Sequence, residues 1–287
     1  MISRPSLSDI PALKTMWKFC FPKDTPQFID FYFAKIFNPN RSLGLWKNGA
    51  LVAAMQILPY QIKTGDKIYD AAYISGAVTH PSHRQKGYMQ ELLLAAFEEM
   101  KQKNYTFSFL IPQEDKLFDY YAKYGYEKAF PKSTQTIRLE ENKIDYNCVE
   151  IYCDFKNLPV NEIYRLYLSL LHQKENAVLK SREQFELILE DLFIDKGCCF
   201  YIKNKSIACV IVEEGNVLIK ELFDMENGSA QLFAAIKDIY QTNYIILQNN
   251  NQINGFNQYY GMIKVLDDSK FNQPAVTKDF YMSMMMD

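Results

Sequence analysis

The 287-residue sequence has little excess charge, no long apolar run and no signal segment, and each of these shortages excludes a class of protein. The formal net charge is −2 and the pI is near 6.0, so electrostatics favour neither a nucleic acid nor an anionic membrane as partner. The longest apolar runs, such as Leu51–Met55 and Ala208–Val212, are as long as strands and far below the roughly 18 residues that span a membrane. We therefore expect a cytoplasmic protein that could form oligomers.

Metal-ligand patterns are also missing from the sequence. Its six cysteines form no Cys-x-x-Cys pair; they are Cys20, Cys148, Cys153, Cys198, Cys199 and Cys209. We predict that all six are reduced, core-type thiols, with adjacent Cys198 and Cys199 on opposite faces of a strand. His80 and His83 have the spacing of two ligands, but no third ligand is evident, so no metal is expected.

A strand, a cationic loop and a helix follow one another from residue 73 to residue 103. The apolar run Tyr73–Val78 predicts the strand, and apolar periodicity predicts a helix over Tyr88–Lys103. Between them lies Arg84-x-x-Gly87, where unpaired N–H groups and the helix dipole would attract an anion such as a pyrophosphate. A dinucleotide fold needs three glycines, and a nucleotidase loop needs Gly-Lys-Ser/Thr, so neither pattern fits this single glycine.

The segment from Arg84 to Met89 resembles the coenzyme A loop of the GNAT N-acetyltransferases, Arg/Gln-x-x-Gly-x-Gly/Ala. Met89 replaces the second small residue, a variant familiar from the Eis-like branch of that family. The resemblance implies that acetyl-CoA is the co-substrate and that a small-molecule or peptide amine accepts the acetyl group. It also implies that the predicted strand splays from Phe107–Ile111 to admit the pantetheine arm. The implied cofactor-binding residues are Ala77, Val78, Thr79, Arg84, Gln85, Lys86, Gly87, Tyr88 and Met89.

Two catalytic candidates follow from the same resemblance. Tyr121, four residues before Gly125, matches the family's Tyr-x-x-x-Gly-Phe/Tyr signature and would protonate the coenzyme A thiolate as a general acid. The predicted strand before the loop offers Tyr73 and Ser75 but no carboxylate. By analogy with Eis-like enzymes, the terminal carboxylate of Asp287 is a candidate base; a frayed terminus is the alternative.

Weak internal repeats predict a second copy of the same domain. Lys47–Ala53 aligns with Lys203–Cys209 at an offset of 156, and Leu92–Phe97 aligns with Gln231–Ile236 at an offset of 139. The second copy therefore lacks 17 residues, the interval that holds the anion loop in the first copy, and carries Asp224 and Glu226 there. We predict a GNAT domain over residues 1–143 and a degenerate GNAT-like domain over 144–287. The predicted fold is α/β (α+β), each domain having a mixed, mostly antiparallel sheet flanked by helices.

Three functions stay open at this level. The first is acetyl transfer to an amine, and the second is a non-catalytic sensor or scaffold that binds acyl-CoA without using Tyr121. The third is a longer-acyl or aminoacyl transferase, which would differ from the first in the depth of its pocket. Aromatic residues of the first two predicted helices either line an acceptor site or belong to the core; they are Trp17, Phe21, Phe28, Phe31 and Tyr32.

Overall fold

The computed structural model describes residues 1–140, 144–249, 258–271 and 280–285. The chain forms two compact units. Unit 1 consists of Met1–Ala129 with residues 261–271, and unit 2 consists of Phe130–Tyr260 with residues 280–285. Each unit therefore takes most of its residues from one half of the chain and a short segment from nearer the carboxyl end. The predicted division at residues 143 and 144 stays a prediction.

Unit 1 contains the strand, loop and helix predicted between residues 73 and 103. In chain order its elements are β1 (Ile2–Ser3), α1 (Ile10–Cys20), α2 (Pro26–Lys35), β2 (Ser42–Lys47), β3 (Ala50–Thr64), β4 (Lys67–Thr79), α3 (Tyr88–Gln102), β5 (Phe107–Leu110) and α4 (Asp115–Ala122). Local signals explain several boundaries. The Thr25 hydroxyl caps α2 by accepting from the Phe28 N–H at 3.1 Å, with Pro26 at the first helical position.

Unit 1 is built on a mixed sheet that is antiparallel except at one pair. Strands β1 to β4 pair antiparallel in chain order, whereas β4 and β5 run parallel. The apolar face of α3 is buried as the periodicity predicts, through Leu92, Leu93, Ala96, Phe97 and Met100. Helices α1 and α2 bury a separate cluster that includes Leu13, Trp17, Tyr32, Ala54 and Val78.

The remaining elements complete the chain. They are β6 (Glu127–Arg138), β7 (Glu150–Tyr152), α5 (Val160–His172), β8 (Asn176–Leu179), α6 (Arg182–Ile194), β9 (Cys198–Ile202), β10 (Ser206–Glu213), β11 (Asn216–Asp224), α7 (Ser229–Tyr240), β12 (Tyr244–Asn249) and β13 (Gln258–Val265). Within unit 1, the described part of β13 pairs with β5 from Met262 to Val265. A capping box starts α6, since Ser181 and Gln184 exchange hydrogen bonds there.

Unit 2 repeats the plan of unit 1. Two helices (α5 and α6) precede an antiparallel meander (β9, β10 and β11), and α7 leads to β12, which runs parallel to β11. The aligned segments occupy the same places: the Lys47 and Lys203 segments form corresponding hairpins, and the Leu92 and Gln231 segments lie in corresponding helices. The prediction of two similar folds with mixed, mostly antiparallel sheets and flanking helices is confirmed.

The cysteines depart from the prediction. The prediction that all six are reduced is wrong, because Cys153 and Cys198 form a disulfide with their Cα atoms 4.3 Å apart. Cys148 is exposed rather than part of the core. Cys198 and Cys199 do point to opposite faces of β9, since they belong to different core clusters. The cysteines therefore do not support the predicted cytoplasmic location, because disulfides are rare in cytosolic proteins.

No helix in the described part of the chain is long and apolar enough to cross a membrane.

Candidate functional site

The site begins where β4 separates from β5. The two strands pair at Ala71, Ala72 and Tyr73, and β4 continues to Thr79 beyond the last of these pairs. In the same stretch the register with β3 shifts between Ala54 and Gln56, and Gly76 has a φ of +57°. Such a bulge bends a strand and redirects its backbone groups. The end of β4 therefore forms one wall of a splay, at the residues predicted to contact the pantetheine arm (Ala77, Val78 and Thr79).

The loop after β4 presents its backbone to solvent. A short 3-10 turn, Pro81–His83, leads to exposed Arg84, Gln85, Lys86 and Gly87. Gln85 has a φ of +63° and Gly87 a φ of +80°, and a Cβ at Gly87 would meet nothing within 4 Å. Glycine suits this position because its left-handed backbone is strained for most other residues. The space in front of Gly87 is open for a ligand.

The amino terminus of α3 has no side-chain cap. Gly87 is its N-cap and has no side chain that could accept, and among the described residues no side chain accepts a hydrogen bond from the first-turn N–H groups. The acidic residue of that turn, Glu91, instead pairs with Lys47 at 3.4 Å. Free N–H groups and the positive end of the helix dipole thus point into the open space beside Arg84 and Lys86. This arrangement suits a bulky anion.

Arg84 is tied back to the end of β4 and to α1. Its Nε donates to the Thr79 carbonyl at 3.4 Å, and its guanidinium lies 3.4 Å from the Cys20 sulfur. The Cys20 thiol also donates to the Thr79 carbonyl at 3.5 Å. These contacts place a permanent positive charge at the mouth of the splay.

The two histidines near the loop contact neighbouring side chains. His80 Nδ1 bonds with the Ser82 hydroxyl at 2.8 Å, and the His83 ring lies against the rings of His80 and Tyr88. Desolvation, followed by the nearby charges of Lys86 and His80, lowers the pKa of His83. Among the described residues, no group of three His, Cys, Asp or Glu side chains could hold a metal ion.

Tyr121 lies at the end of α4, beside β5. Its ring is buried and packs against the rings of Tyr120 and Tyr126, and the Tyr126 hydroxyl bonds with Ser108 of β5 at 2.6 Å. Burial raises the pKa of Tyr121 to about 12. Gly125, with a φ of +81°, lies in the turn after α4, two residues beyond the C-cap Lys123. Tyr121 thus keeps its proton at any pH at which an enzyme is ordinarily assayed.

The other catalytic candidate is the terminal carboxylate of Asp287. Asp287 and Asn257, the residue of the second copy that aligns with Tyr121, both lie outside the described residues. Tyr73 and Ser75, the polar residues of β4, are both buried. The Ser75 hydroxyl bonds with the Tyr32 hydroxyl at 2.7 Å.

The equivalent helix of unit 2 is capped by the protein itself. The carboxylate of Asp224 accepts from the Gly228 N–H at 2.8 Å, from the Ser229 N–H at 3.0 Å and from the Ser206 hydroxyl at 2.7 Å. Burial alone would raise the pKa of Asp224, but these hydrogen bonds outweigh it and the pKa is lowered. The start of α7 therefore already holds an anion where α3 has none.

We expect Asp224→Ala to destabilise the protein by about 1–2 kcal/mol, because it removes the cap of α7. Urea unfolding would measure this loss, with Asp224→Asn as the milder variant that keeps one acceptor oxygen. The variant should not gain an acetyl-CoA site, since the second copy still lacks the 17-residue interval that holds the anion loop in the first copy. Unchanged stability, or a newly created second site, would contradict this interpretation of Asp224.

Unit 2 also carries a buried charged cluster that the sequence analysis missed. Cys209 pairs with Glu221 as Ala53 pairs with Thr79, so Glu221 takes the place of Thr79 in the repeat. Its carboxylate accepts from the Tyr281 hydroxyl at 3.0 Å and from the Met284 N–H at 2.9 Å. Burial raises the pKa of Glu221 to about 7, against the opposing effects of the Met284 N–H and of the Lys180 charge.

Lys180 completes this cluster. Its Nζ donates to the Ser283 hydroxyl at 2.6 Å, and both side chains are buried. Glu221 lies where Thr79 ends β4 in the first copy. Glu221 and Lys180 thus hold residues 281–284 beside the strand end of unit 2 that corresponds to the end of β4. In unit 2 the chain's own segment occupies this position.

A family comparison agrees with the geometry of unit 1. Residues 2–129 match the model of the acetyltransferase (GNAT) domain. This stretch is therefore similar to GNAT domains in sequence. It contains the end of β4, the loop and Tyr121, so every described residue of the candidate site lies inside the match. No curated protein matched the sequence.

Solved structures extend the GNAT fold over nearly the whole chain. A probable N-acyltransferase of unknown function from Enterococcus faecalis V583 matches with a TM-score of 0.73 at 14% identity, over 93% of this chain and 72% of that one. Eis1 from Mycobacterium abscessus matches with a TM-score of 0.68 at 12% identity, over 93% and 73%. A tandem GNAT protein from the clavulanic acid pathway matches with a TM-score of 0.55 at 9% identity, over 93% and 98%. At such identities the likeness shows the tandem GNAT fold alone.

Proposed function

We propose that unit 1 transfers an acetyl group from acetyl-CoA to a primary amine of a small molecule or peptide. The observation that carries this proposal is the uncapped start of α3, which faces open space beside Arg84 and Lys86. A pyrophosphate there would accept hydrogen bonds from the loop and first-turn N–H groups from Arg84 to Met89. The pantetheine arm would then run along Ala77, Val78 and Thr79 in the splay.

The chemical step needs a polarised carbonyl and two proton transfers. The neutral amine attacks the thioester carbon, so a C–N bond forms and the C–S bond breaks. Backbone N–H groups at the end of β4 would stabilise the oxyanion. Tyr121 would donate its proton to the departing sulfur, and a base would take the proton from the amine. The carboxylate of Asp287 stays the candidate base.

Unit 2 is proposed to bind no cofactor. Asp224 fills the anion position at the start of α7, and Glu221 with Lys180 holds the chain's own segment at the matching strand end. A carboxylate at that position repels a pyrophosphate. The second domain is therefore proposed to be a degenerate copy with a structural role.

A transfer assay tests the proposed function. Purified protein is mixed with acetyl-CoA and a panel of primary amines and lysine peptides, and release of free coenzyme A thiol is followed together with the mass of the acceptor. We expect an acceptor that gains an acetyl group in step with thiol release. Tight acetyl-CoA binding without transfer to any amine would instead favour the sensor or scaffold, and faster transfer from longer thioesters would favour the longer-acyl transferase.

A further inference from the structure

Unit 2 contains a pair of free thiols that face each other inside its sheet. Cys199 lies on β9 and Cys209 on β10, and the two residues are directly opposite in the antiparallel pairing of these strands. Their sulfur atoms are 3.9 Å apart. Both side chains are buried in the same hydrophobic cluster, so they point to the same face of the sheet. The proposed acetyl transfer uses neither residue.

The positions of the two residues fit a disulfide. Directly opposed residues of an antiparallel pair have Cα atoms about 4.5–5.5 Å apart, and disulfides join residues whose Cα atoms are about 4.4–6.8 Å apart. A disulfide bond is about 2.05 Å long, so closing the gap of 3.9 Å needs a movement of about 1 Å by each sulfur atom. Rotation of the side chains supplies a movement of this size, so the bond can form without separating the strands.

A disulfide already holds the residue next to Cys199. Cys198 is bonded to Cys153, which directly follows β7, and it lies on the opposite face of β9 from Cys199. Strand β9 is thus fixed to its neighbour β7, while the thiol pair lies between β9 and its other neighbour, β10. Disulfides form and persist in oxidising environments. The environment that keeps the first disulfide oxidised therefore also favours a second one at the opposed pair one residue away.

The surroundings of the pair keep both of its redox forms free of buried charge. The hydrogen bond with Cys199, burial, and the nearby Cys199 and Glu221 groups raise the pKa of Cys209 well above its usual range. Glu221 is the residue opposite Cys209 on β11. The thiolate is the form that reacts with disulfides, so the folded sheet slows the reaction of Cys209. Exchange with an oxidant therefore takes place while the unit folds or transiently opens.

We propose that Cys199 and Cys209 form a redox couple, a modification site of unit 2 whose oxidant is a small-molecule disulfide such as glutathione disulfide. One cysteine thiolate attacks the glutathione disulfide, so a mixed disulfide forms and one glutathione thiolate leaves. The other cysteine thiolate then attacks the protein sulfur of the mixed disulfide, and the second glutathione thiolate leaves. The protein dithiol gives up two electrons, glutathione disulfide accepts them, and the protons of the dithiol pass through solvent to the two glutathione thiolates.

Thiol counting after refolding tests this couple. The full-length protein is reduced and unfolded, and it is then refolded in glutathione buffers that range from fully reduced to mostly oxidised. Refolding gives the oxidant access to both thiols, so burial of the pair cannot explain a negative result. Each sample is quenched with acid, unfolded and alkylated, and the alkyl groups and glutathione adducts on each chain are counted by mass spectrometry. We expect two free thiols per chain in the oxidising buffers, in place of the four that accompany a single disulfide.

Single variants identify the cysteines that lose their thiols. They are needed because Cys198 and Cys199 are adjacent, so a digested peptide would carry both. Cys199→Ala and Cys209→Ala each leave one thiol of the pair without its partner, so both variants should keep three free thiols in the oxidising buffers. Cys148→Ala is the matched control, because it removes an exposed free thiol of the same unit and should still lose two thiols, leaving one.

The wild-type count alone can decide against the couple, so a variant that fails to fold does not remove the test. Four free thiols in every buffer that keeps Cys153 and Cys198 joined would overturn the proposal. Glutathione adducts in place of a second disulfide would also overturn it, since the two thiols would then react separately. So would a loss of two thiols that persists in Cys209→Ala, because other cysteines would then form the bond. Each of these results leaves the proposed acetyl transfer by unit 1 unaffected.

Discussion

Gly87→Asp should reduce the affinity for acetyl-CoA at least about 100-fold. Like charges about 4 Å apart near a protein surface repel by about 4 kcal/mol, and each 1.4 kcal/mol is a factor of ten in affinity. Arg84 and Lys86 would offset part of this repulsion, so the expected loss is below the full Coulomb value. The substitution also fills the open space in front of the loop. Calorimetric titration with acetyl-CoA measures the effect.

Gly215→Asp is the matched control for that variant. Gly215 has the same φ of +80° and the same open space around its Cβ position, but it lies in the turn between β10 and β11 of unit 2. Both variants carry the same backbone strain and the same added charge. Loss of affinity in Gly87→Asp alone would tie the effect to the loop. Equal affinity in the two folded variants would rule out the loop as the pyrophosphate site.

Tyr121→Phe should lower kcat by about 10- to 100-fold and leave the affinity for acetyl-CoA nearly unchanged. A hydrogen bond to a charged partner contributes about 1.5–3 kcal/mol, and each 1.36 kcal/mol of barrier is a factor of ten in rate. The phenyl ring keeps the packing against Tyr120 and Tyr126, so the fold should be unaffected. Steady-state kinetics together with calorimetry separate the two effects.

The pH profile adds a second test of Tyr121. Burial raises its pKa to about 12, so the protonated donor is fully present below that value and is lost only as the pH rises through it. Any fall in kcat between pH 8 and pH 10 must therefore come from another group, and Tyr121→Phe should keep the wild-type profile at a lower level. Tyr120→Phe, a change on the same helix, is the control. If it lowers kcat as much as Tyr121→Phe, the specific role of Tyr121 is disproved.

Local signals in the sequence predicted most of the fold. Thr25 with Pro26 and Ser181 with Gln184 mark helix starts that the structure confirms, because capping depends on residues only two or three positions apart. Gly87 indicated the loop in the same way, because a left-handed φ is a requirement of the local backbone that glycine meets without strain. The repeat offsets located the corresponding hairpins and helices of the two units.

Features that depend on distant residues could not be predicted. The disulfide joins Cys153 and Cys198, which are 45 residues apart and carry no local signal of pairing. The cluster at Glu221 needs a segment some 60 residues later in the chain. Trp17 and Tyr32 belong to a buried cluster, but the sequence left them open between core and binding wall because their helical spacing fits both.

The stoichiometry of acetyl-CoA binding tests the central claim most directly. The start of α3 is open and the start of α7 is closed by Asp224, so a calorimetric titration of the whole protein should give one site per chain. That result would support a live first domain and a degenerate second one. Two sites per chain would contradict the degenerate second domain, and absence of binding would contradict the acetyltransferase account as a whole.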